Sequence, residues 1–397
     1  MKLAIISIAL PPSQSGQSLV LFQLLKNFPS DTYCLITQKN KNLYRLQGNC
    51  IKTLPAPYHY MVPDNRVTQR VVQVFLYLRI RRLLDIVLAV RTYQIKKILE
   101  KERITTVVAC TGDLFDPPAA FCACRVLGIP FVLYTFDYYS RQWTHPLLRS
   151  FAEQHEGRLV KNAARVIVPN ECMQEEYSRN YGIRADIIHN PFDITEYEKN
   201  AALIKETGQE TSPGSIKIVY TGAVYDANFS AFHNLIVAIK KTGISGLTLH
   251  LYTPQSAAYL SENNIIGPVE IHQHLPHCDM PGVQINADII FLPLAFHSPY
   301  PKIIKTSAPG KIGEYLASGR PVLVHAPAGS FLSWYFRKYS CGYVVDQDDP
   351  DALAGALIRL LNDRELVQKI TENAYLRAKD DFDVNNAEKK FQDVLNL

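Results

Sequence analysis

The densest group of residues suited to an anionic substrate lies in KIIKTSAPGKIGEYLASGRPVLVHAP, residues 302–327. Lys302, Lys305 and Lys311 place three ammonium groups along this segment, and Glu314 follows Lys311 by one helical turn, so that a cation and a carboxylate share a face. Ammonium groups offset the charge of a diphosphate, and a carboxylate accepts from two vicinal hydroxyls such as those of a ribose. Ser307 suits an N-cap, Pro309 costs little in a first turn where its missing N–H has no partner to lose, and Gly319 ends the helix before the strand PVLVHA. The predicted helix start, with Thr306, Ser307, Pro309 and Gly310, then offers unpaired backbone N–H groups and a positive dipole end to a diphosphate. The same spacing also describes a capped amphipathic helix with an internal Lys–Glu pair.

Four other groups invite a chemical reading. Gly222, in YTGAV, follows a strand and leaves room for close backbone approach, although such a glycine is more often a tight turn. Asp137, in YTFDYYS, and His145 are candidates for orienting a hydroxyl or taking its proton, with core or salt-bridge roles as the alternative. Asp346-Gln347-Asp348 has the D-x-D form that holds Mg²⁺ or Mn²⁺ in some sugar transferases, but acidic residues ahead of a helix at Pro350 simply favour its start. His272, His274, His277 and Cys278 alternate as strand residues that share a zinc do, yet the HExxH and CxxC spacings are absent and the stretch reads as structural. No metal site is expected.

These residues must be held by elements that the hydrophobic pattern makes visible. Short β-rich apolar runs alternate with helical stretches, the signature of βα units around parallel sheets buried on both faces. The alternation occurs twice. The first series is KLAIISIAL, DTYCLIT, TTVVAC, FVLYTF, RVIVP and ADIIHN, and the second is IKIVYTG, LTLHLYT, VEIHQHL, ADIIFLPL, RPVLVHA and CGYVV. In the first half, helices are predicted near 18–27, 116–127, 145–164 and 171–181. Residues 193–215 are polar, lack periodicity and end in Ser-Pro-Gly-Ser, which predicts an interdomain linker. The expected division is therefore a first Rossmann-like domain over 1–192, a second over 216–375, and a C-terminal helix over 376–397. The fold class is α/β, two Rossmann-like domains facing each other across a cleft.

The chain has 397 residues, 47% hydrophobic and 20% charged, enough to bury two cores and unlike a disordered protein. A net charge of +5 is too modest to indicate a nucleic-acid partner. The cysteines at 34, 50, 110, 122, 124, 172, 278 and 341 sit mostly in apolar runs without paired spacing and read as reduced core residues. MKLAIISIALPPS lacks a signal-peptide cleavage site and reads as a first strand, and no apolar run approaches the ~18 residues of a membrane span, so a cytoplasmic location is expected. Residues 66–97 are basic and amphipathic, with Arg66, Arg70, Arg79, Arg81, Arg82, Arg91, Lys96 and Lys97 among apolar residues; they suit an anionic membrane surface or a pyrophosphate-bearing lipid, or else an ordinary solvated helix pair.

The segment PGKIGEYLASGRPVL resembles the corresponding segment of family 4 glycosyltransferases and their GT-B relatives. The resemblance extends along the chain in the family's order, through Gly16, Asp137, VPNECMQEEY, HNPFD, YTGAV and ADIIFLPL. It implies that the domain over 1–192 is the acceptor side, that the domain over 216–375 binds the donor and that the C-terminal helix packs back on the first; within these, Glu314 binds the donor ribose, the backbone at Gly222 admits the diphosphate, and Gly16 faces the reaction centre from the other domain. It further implies retaining transfer, in which Asp137 orients the acceptor and no dedicated base is needed. Two departures stand out: Thr306 occupies the position of a glutamate that the family often carries, and YTGAVYDANFS lacks the arginine and lysine that often follow the glycine. Lys302, Lys305 or Lys311 must then neutralise the phosphates.

The resulting expectation is a glycosyltransferase taking a sugar from a nucleotide-sugar donor, with UDP as the expected nucleotide, to a glycan or lipid-linked acceptor in cell-surface polysaccharide or glycoconjugate synthesis. No cofactor or metal is expected. A GT-B sugar-nucleotide epimerase and a non-catalytic nucleotide-sugar or glycan-binding protein are the alternatives.

Overall fold

A computed structural model describes residues 2–13, 15–38, 53–61, 82–207 and 214–396. The chain divides into two compact units, Met1–His189 with Ala387–Leu397, and Asn190–Asn386.

In the first unit the elements run β1 (Leu3–Ile6), α1 (Gly16–Leu25), β2 (Tyr33–Gln38), β3 (Tyr58–Met61), α2 (Arg82–Glu102), β4 (Thr106–Cys110), α3 (Asp116–Leu127), β5 (Phe131–Tyr134), α4 (Pro146–Asn162), β6 (Arg165–Val168), α5 (Glu171–Tyr181) and β7 (Asp186–Ile187). The strands form one parallel sheet in the order β3-β2-β1-β4-β5-β6-β7. β1, β2, β4 and β5 are buried at every residue, as strands covered on both faces must be. The order reverses between β1 and β4, which opens a crevice at their carboxyl ends.

The second unit continues with α6 (Ile194–Thr207), β8 (Ile216–Thr221), α7 (Phe229–Thr242), β9 (Leu247–Thr253), α8 (Ala257–Glu262), β10 (Val269–Gln273), α9 (Met280–Ile285), β11 (Ile289–Pro293), α10 (Pro301–Thr306), α11 (Ile312–Ala317), β12 (Val322–His325), α12 (Phe331–Tyr339), β13 (Tyr343–Val345), α13 (Pro350–Asn362), α14 (Arg364–Arg377) and α15 (Val384–Leu395). Its sheet is again parallel, in the order β10-β9-β8-β11-β12-β13, with the reversal between β8 and β11. α15 starts in this unit, but Phe391, Val394 and Leu395 are buried in the first unit's core, where the Phe391 ring lies 6.1 Å from that of Phe28.

The structure corrects the sequence reading at three places. Much of the stretch expected to be a linker is helix α6, which belongs to the second unit; buried Tyr197 anchors it by donating to Gln284 at 2.7 Å. Burial of Ile194 and Tyr197 outweighs a weak apolar pattern, since packing overrides propensity. Strand β3 was not anticipated, because YHYM is short and closely flanked by prolines. The helix expected to start at Ser307 is divided: Ser307 caps the C-terminus of α10, Pro309 and Gly310 form a turn, and α11 begins at Ile312. Pro309 disfavours helical backbone in the residue before it, which breaks what the spacing presents as one helix.

Candidate functional site

The second unit gathers its charged groups where its strand order reverses. β8 ends at Thr221, and Gly222 follows with φ +129°, a backbone conformation that favours glycine. Lys311, just before α11, extends to this turn: its Nζ donates to the Thr221 carbonyl at 2.5 Å and lies 4.1 Å from the centre of the Tyr220 ring. A Cβ on residue 222 would collide with that ammonium. Gly222 is thus set both by conformation and by the lysine packed on it. Burial pushes the Lys311 ammonium down to about 7, with the Glu314 charge pulling the other way.

Glu314 is nearly buried, one turn further on. Its Oε1 lies 2.7 Å from His277 Nε2, and its Oε2 accepts a long bond from Gln284 at 3.5 Å. Burial alone would raise its carboxyl, but the charge and hydrogen bond of His277, the Gln284 bond and the Lys311 charge together hold it below the ordinary carboxylate value. In return Glu314 lifts the His277 imidazole to about 9 against the opposing effect of burial. Burial and the Lys311 charge lower His274, which stands on the same loop after β10.

A buried polar network fixes both groups. Gln284, fully buried on α9, donates to Thr221 Oγ1 at 3.1 Å and accepts from Tyr197. Tyr315, also fully buried, accepts from Thr221 N at 2.9 Å. α11 can approach its neighbours because Gly313 has no side chain: a Cβ there would stand 2.5 Å from Phe192 Cδ1 and 2.7 Å from Phe382 Cβ. Asn190 holds the preceding turn by donating to the Ala308 carbonyl at 2.8 Å.

Other predicted site residues have different positions. Thr306 is buried and donates back to the Lys302 carbonyl at 3.2 Å, within α10. Lys302 and Lys305 are exposed. Lys305 lines a cavity of about 240 Å³, shared with Phe296, Pro301, Ile304, Pro327 and Ser330, beside the carboxyl ends of β11 and β12. α11 has only six residues and begins after Lys311 rather than at Ser307, so the expected helix start at Ser307 is not available to a diphosphate. Gly16 and Asp137 belong to the first unit. Gly16 opens α1, whose N-cap Ser15 accepts from Ser18 N at 3.3 Å, and a Cβ at Gly16 would meet nothing within 4 Å. Asp137 is exposed and follows β5. His145 caps α4 by accepting from Leu147 N at 3.2 Å, a structural role.

Both carboxylates of Asp346-Gln347-Asp348 are engaged, Asp346 by Arg337 at 2.8 Å and Asp348 by His297 at 2.7 Å and Asn234 at 2.6 Å. The histidine stretch is divided: His277 joins Glu314, while His272 lies on β10 against His250. His277, Gln284, Tyr315 and Tyr220 were missed as site residues. Nothing local in the sequence ties His277 to a glutamate on a different helix; the signal that existed was its place in the loop after a predicted strand, where ligands of parallel sheets are held. Of the basic stretch, Arg66, Arg70, Arg79 and Arg81 lie outside the described residues. Arg91 is buried and paired with Asp116 at 2.7 Å, so it does not serve a surface, whereas Ile86, Val90 and Tyr93 of α2 are exposed.

Residues 53–196 match the model of Glycosyltransferase Family 4, and residues 215–363 match that of Glycosyl transferases group 1. No curated protein matches the chain. Among solved structures, Anabaena Alr3699/HepE in complex with UDP and glucose is 14% identical with a TM-score of 0.67, each chain covered over 100% of its length. The alpha,alpha-trehalose 6-phosphate synthase of Burkholderia multivorans is 12% identical with a TM-score of 0.69, covering 99% of this chain and 98% of its own. A glycosyltransferase from Rickettsia africae ESF-5 is 13% identical with a TM-score of 0.66, over 100% of this chain and 98% of its own. Two parallel sheets of the same order, a paired cation and carboxylate where the second sheet reverses, and a glycosyltransferase match to each half of the chain lead to one conclusion: the protein is a glycosyltransferase of the GT-B fold.

Proposed function

We propose that the protein transfers a sugar from a UDP-sugar to a glycan or lipid-linked acceptor, with retention of configuration and without a metal ion, in cell-surface polysaccharide or glycoconjugate synthesis. The observation that carries this reading is the pairing at the end of β8: the Lys311 ammonium is held at Thr221 and Gly222 while an ionised Glu314 stands one turn away. A diphosphate at Gly222 meets a cation in a partly buried setting, where charge stabilisation is strongest. Each Glu314 oxygen, beside its bond to His277 or Gln284, keeps a second lone pair for a vicinal hydroxyl. The choice of UDP rests on the structural neighbours bound to UDP and UDP-glucose.

In the proposed reaction the bond between the sugar C1 and the diphosphate oxygen breaks and the acceptor oxygen bonds to C1 on the same face. The acceptor proton passes to the departing diphosphate oxygen, and no separate base is required. Lys311 stabilises the charge that develops on the leaving diphosphate, with Lys305 and Lys302 as the further cations in reach of the same segment. Gly16 and Asp137 of the first unit are assigned to the acceptor side, Asp137 as an orienting carboxylate; the open space around Gly16 supports that role. The engaged carboxylates of Asp346 and Asp348 support the metal-independent reading. Exposed Ile86, Val90 and Tyr93 on α2, with Arg82 and Lys97 nearby on the helix, support peripheral attachment to the anionic inner face of a membrane. No helix among the described residues is long and apolar enough to cross a membrane.

The test is release of UDP from UDP-sugars in the presence and absence of a panel of acceptors, with EDTA added. Acceptor-dependent UDP release that survives EDTA and falls roughly 100-fold or more in Lys311→Ala supports the reading. Full activity in Lys311→Ala, or a strict requirement for a divalent ion, contradicts it.

A further inference from the structure

We propose that His250, Glu270 and His272 form a divalent transition-metal site, with Zn²⁺ as the best-suited ion, on the edge of the second unit's sheet. β10 is an edge strand and pairs with β9 so that Glu270 stands opposite His250 and His272 opposite Tyr252. Alternate residues share a face, so all four side chains lie on one side of the sheet. His250 Nδ1 is 3.0 Å from His272 Nε2, and Glu270 Oε2 is 3.5 Å from the first and 3.8 Å from the second. The centre of that triangle is about 2 Å from each of the three atoms, the length of a Zn–N or Zn–O bond.

The ligand set is two imidazoles and a carboxylate, with a fourth position open to water because Glu270 and His272 are partly exposed. His272 is held in place: the Tyr252 ring stacks on it at 4.4 Å with 11° between the planes. An ion there would need both facing nitrogens free of protons to donate their lone pairs to it; the proton now between them would move to the other nitrogen of its ring, and each ring would turn toward the ion. The ion would tie the edge strand to its neighbour, where a sheet is otherwise held by one ladder. None of the three residues belongs to the Lys311–Glu314 group, so the site stands independently of the proposed reaction.

The test is calorimetric titration of the full chain, freed of metal by a chelator, with ZnCl₂, together with Co²⁺ absorption spectra. About one ion per chain, tetrahedral-type visible bands with Co²⁺, and binding weakened roughly tenfold or more in both Glu270→Gln and His272→Ala are expected. Both variants change exposed or half-exposed side chains and keep the fold, which thermal melts verify, and both retain wild-type transfer activity. Absence of Zn²⁺ binding, or binding that is unchanged in both variants, overturns the proposal.

Discussion

His277 Nε2 lies 2.7 Å from Glu314 Oε1, joining the loop after β10 to the carboxylate of α11. The pair sets a pH dependence whose sign follows from its two shifts. His277 is raised to about 9 from 6.5, so its contribution to stability is complete below about 6.5 and is lost as pH rises through about 9. Glu314 is held below 4.5, so its contribution is present above that value and lost as pH falls below it. Thermal melts of the parent against His277→Ala across this range isolate the pair's contribution, greatest between the two losses, from the opposite slope that the lowered Lys311 adds above about 7. His277→Ala should lower stability by about 1–3 kcal/mol near neutrality and flatten the alkaline decline.

Lys311 makes a second pH prediction. With its ammonium pushed down to about 7, the free protein loses that charge as pH rises, while a bound diphosphate favours the charged form. Donor binding should therefore take up a proton above neutrality, and donor KM should climb with rising pH. Calorimetry in buffers of different ionisation enthalpy measures the proton directly. Lys311→Arg, which stays charged, should remove both effects.

Gly222→Ala tests whether the turn after β8 is shaped for the lysine. The residue has φ +129°, and an added Cβ meets the Lys311 ammonium. A loss of about 1–3 kcal/mol in stability is expected from the backbone conformation. Displacement of the ammonium should add a fall in kcat/KM beyond that of Lys302→Ala, whose target is an exposed residue.

Gln284→Leu removes a fully buried amide that serves Tyr197, Thr221 and Glu314 at once. Loss of its partners leaves buried hydroxyls unpaired, a cost of about 1–3 kcal/mol. Donor KM should rise more than kcat falls, because the glutamate is displaced from its hydroxyl-binding position while the lysine remains on the Thr221 carbonyl. Steady-state kinetics with one donor separate the two effects.

Much of the architecture was legible because parallel strands buried on both faces leave continuous apolar runs: all six strands read in the second half, from IKIVYTG to CGYVV, appear where they were read. α6 was hidden because its helical stripe rests on scattered residues such as Ile194 and Tyr197, whose burial depends on the rest of the second unit. Lys311, Glu314 and Gly222 were legible from type and position relative to strand ends. Their partners were not, since His277 and Gln284 reach Glu314 across 37 and 30 positions of sequence, contacts that only the folded sheet creates. The break at Pro309 was misread because a proline fits the first turn of a helix as well as it fits the turn before one.

Whether Lys311 and Glu314 hold a nucleoside diphosphate is measured most directly by binding of UDP, GDP and dTDP in thermal-shift and calorimetric experiments with EDTA present. Metal-independent binding with UDP preferred is expected, with a stability gain of roughly 2.7 kcal/mol at about 100 times the dissociation constant that is lost in Lys311→Ala and Glu314→Ala. Binding that requires a divalent ion, or UDP binding that persists unchanged in both variants, would contradict it.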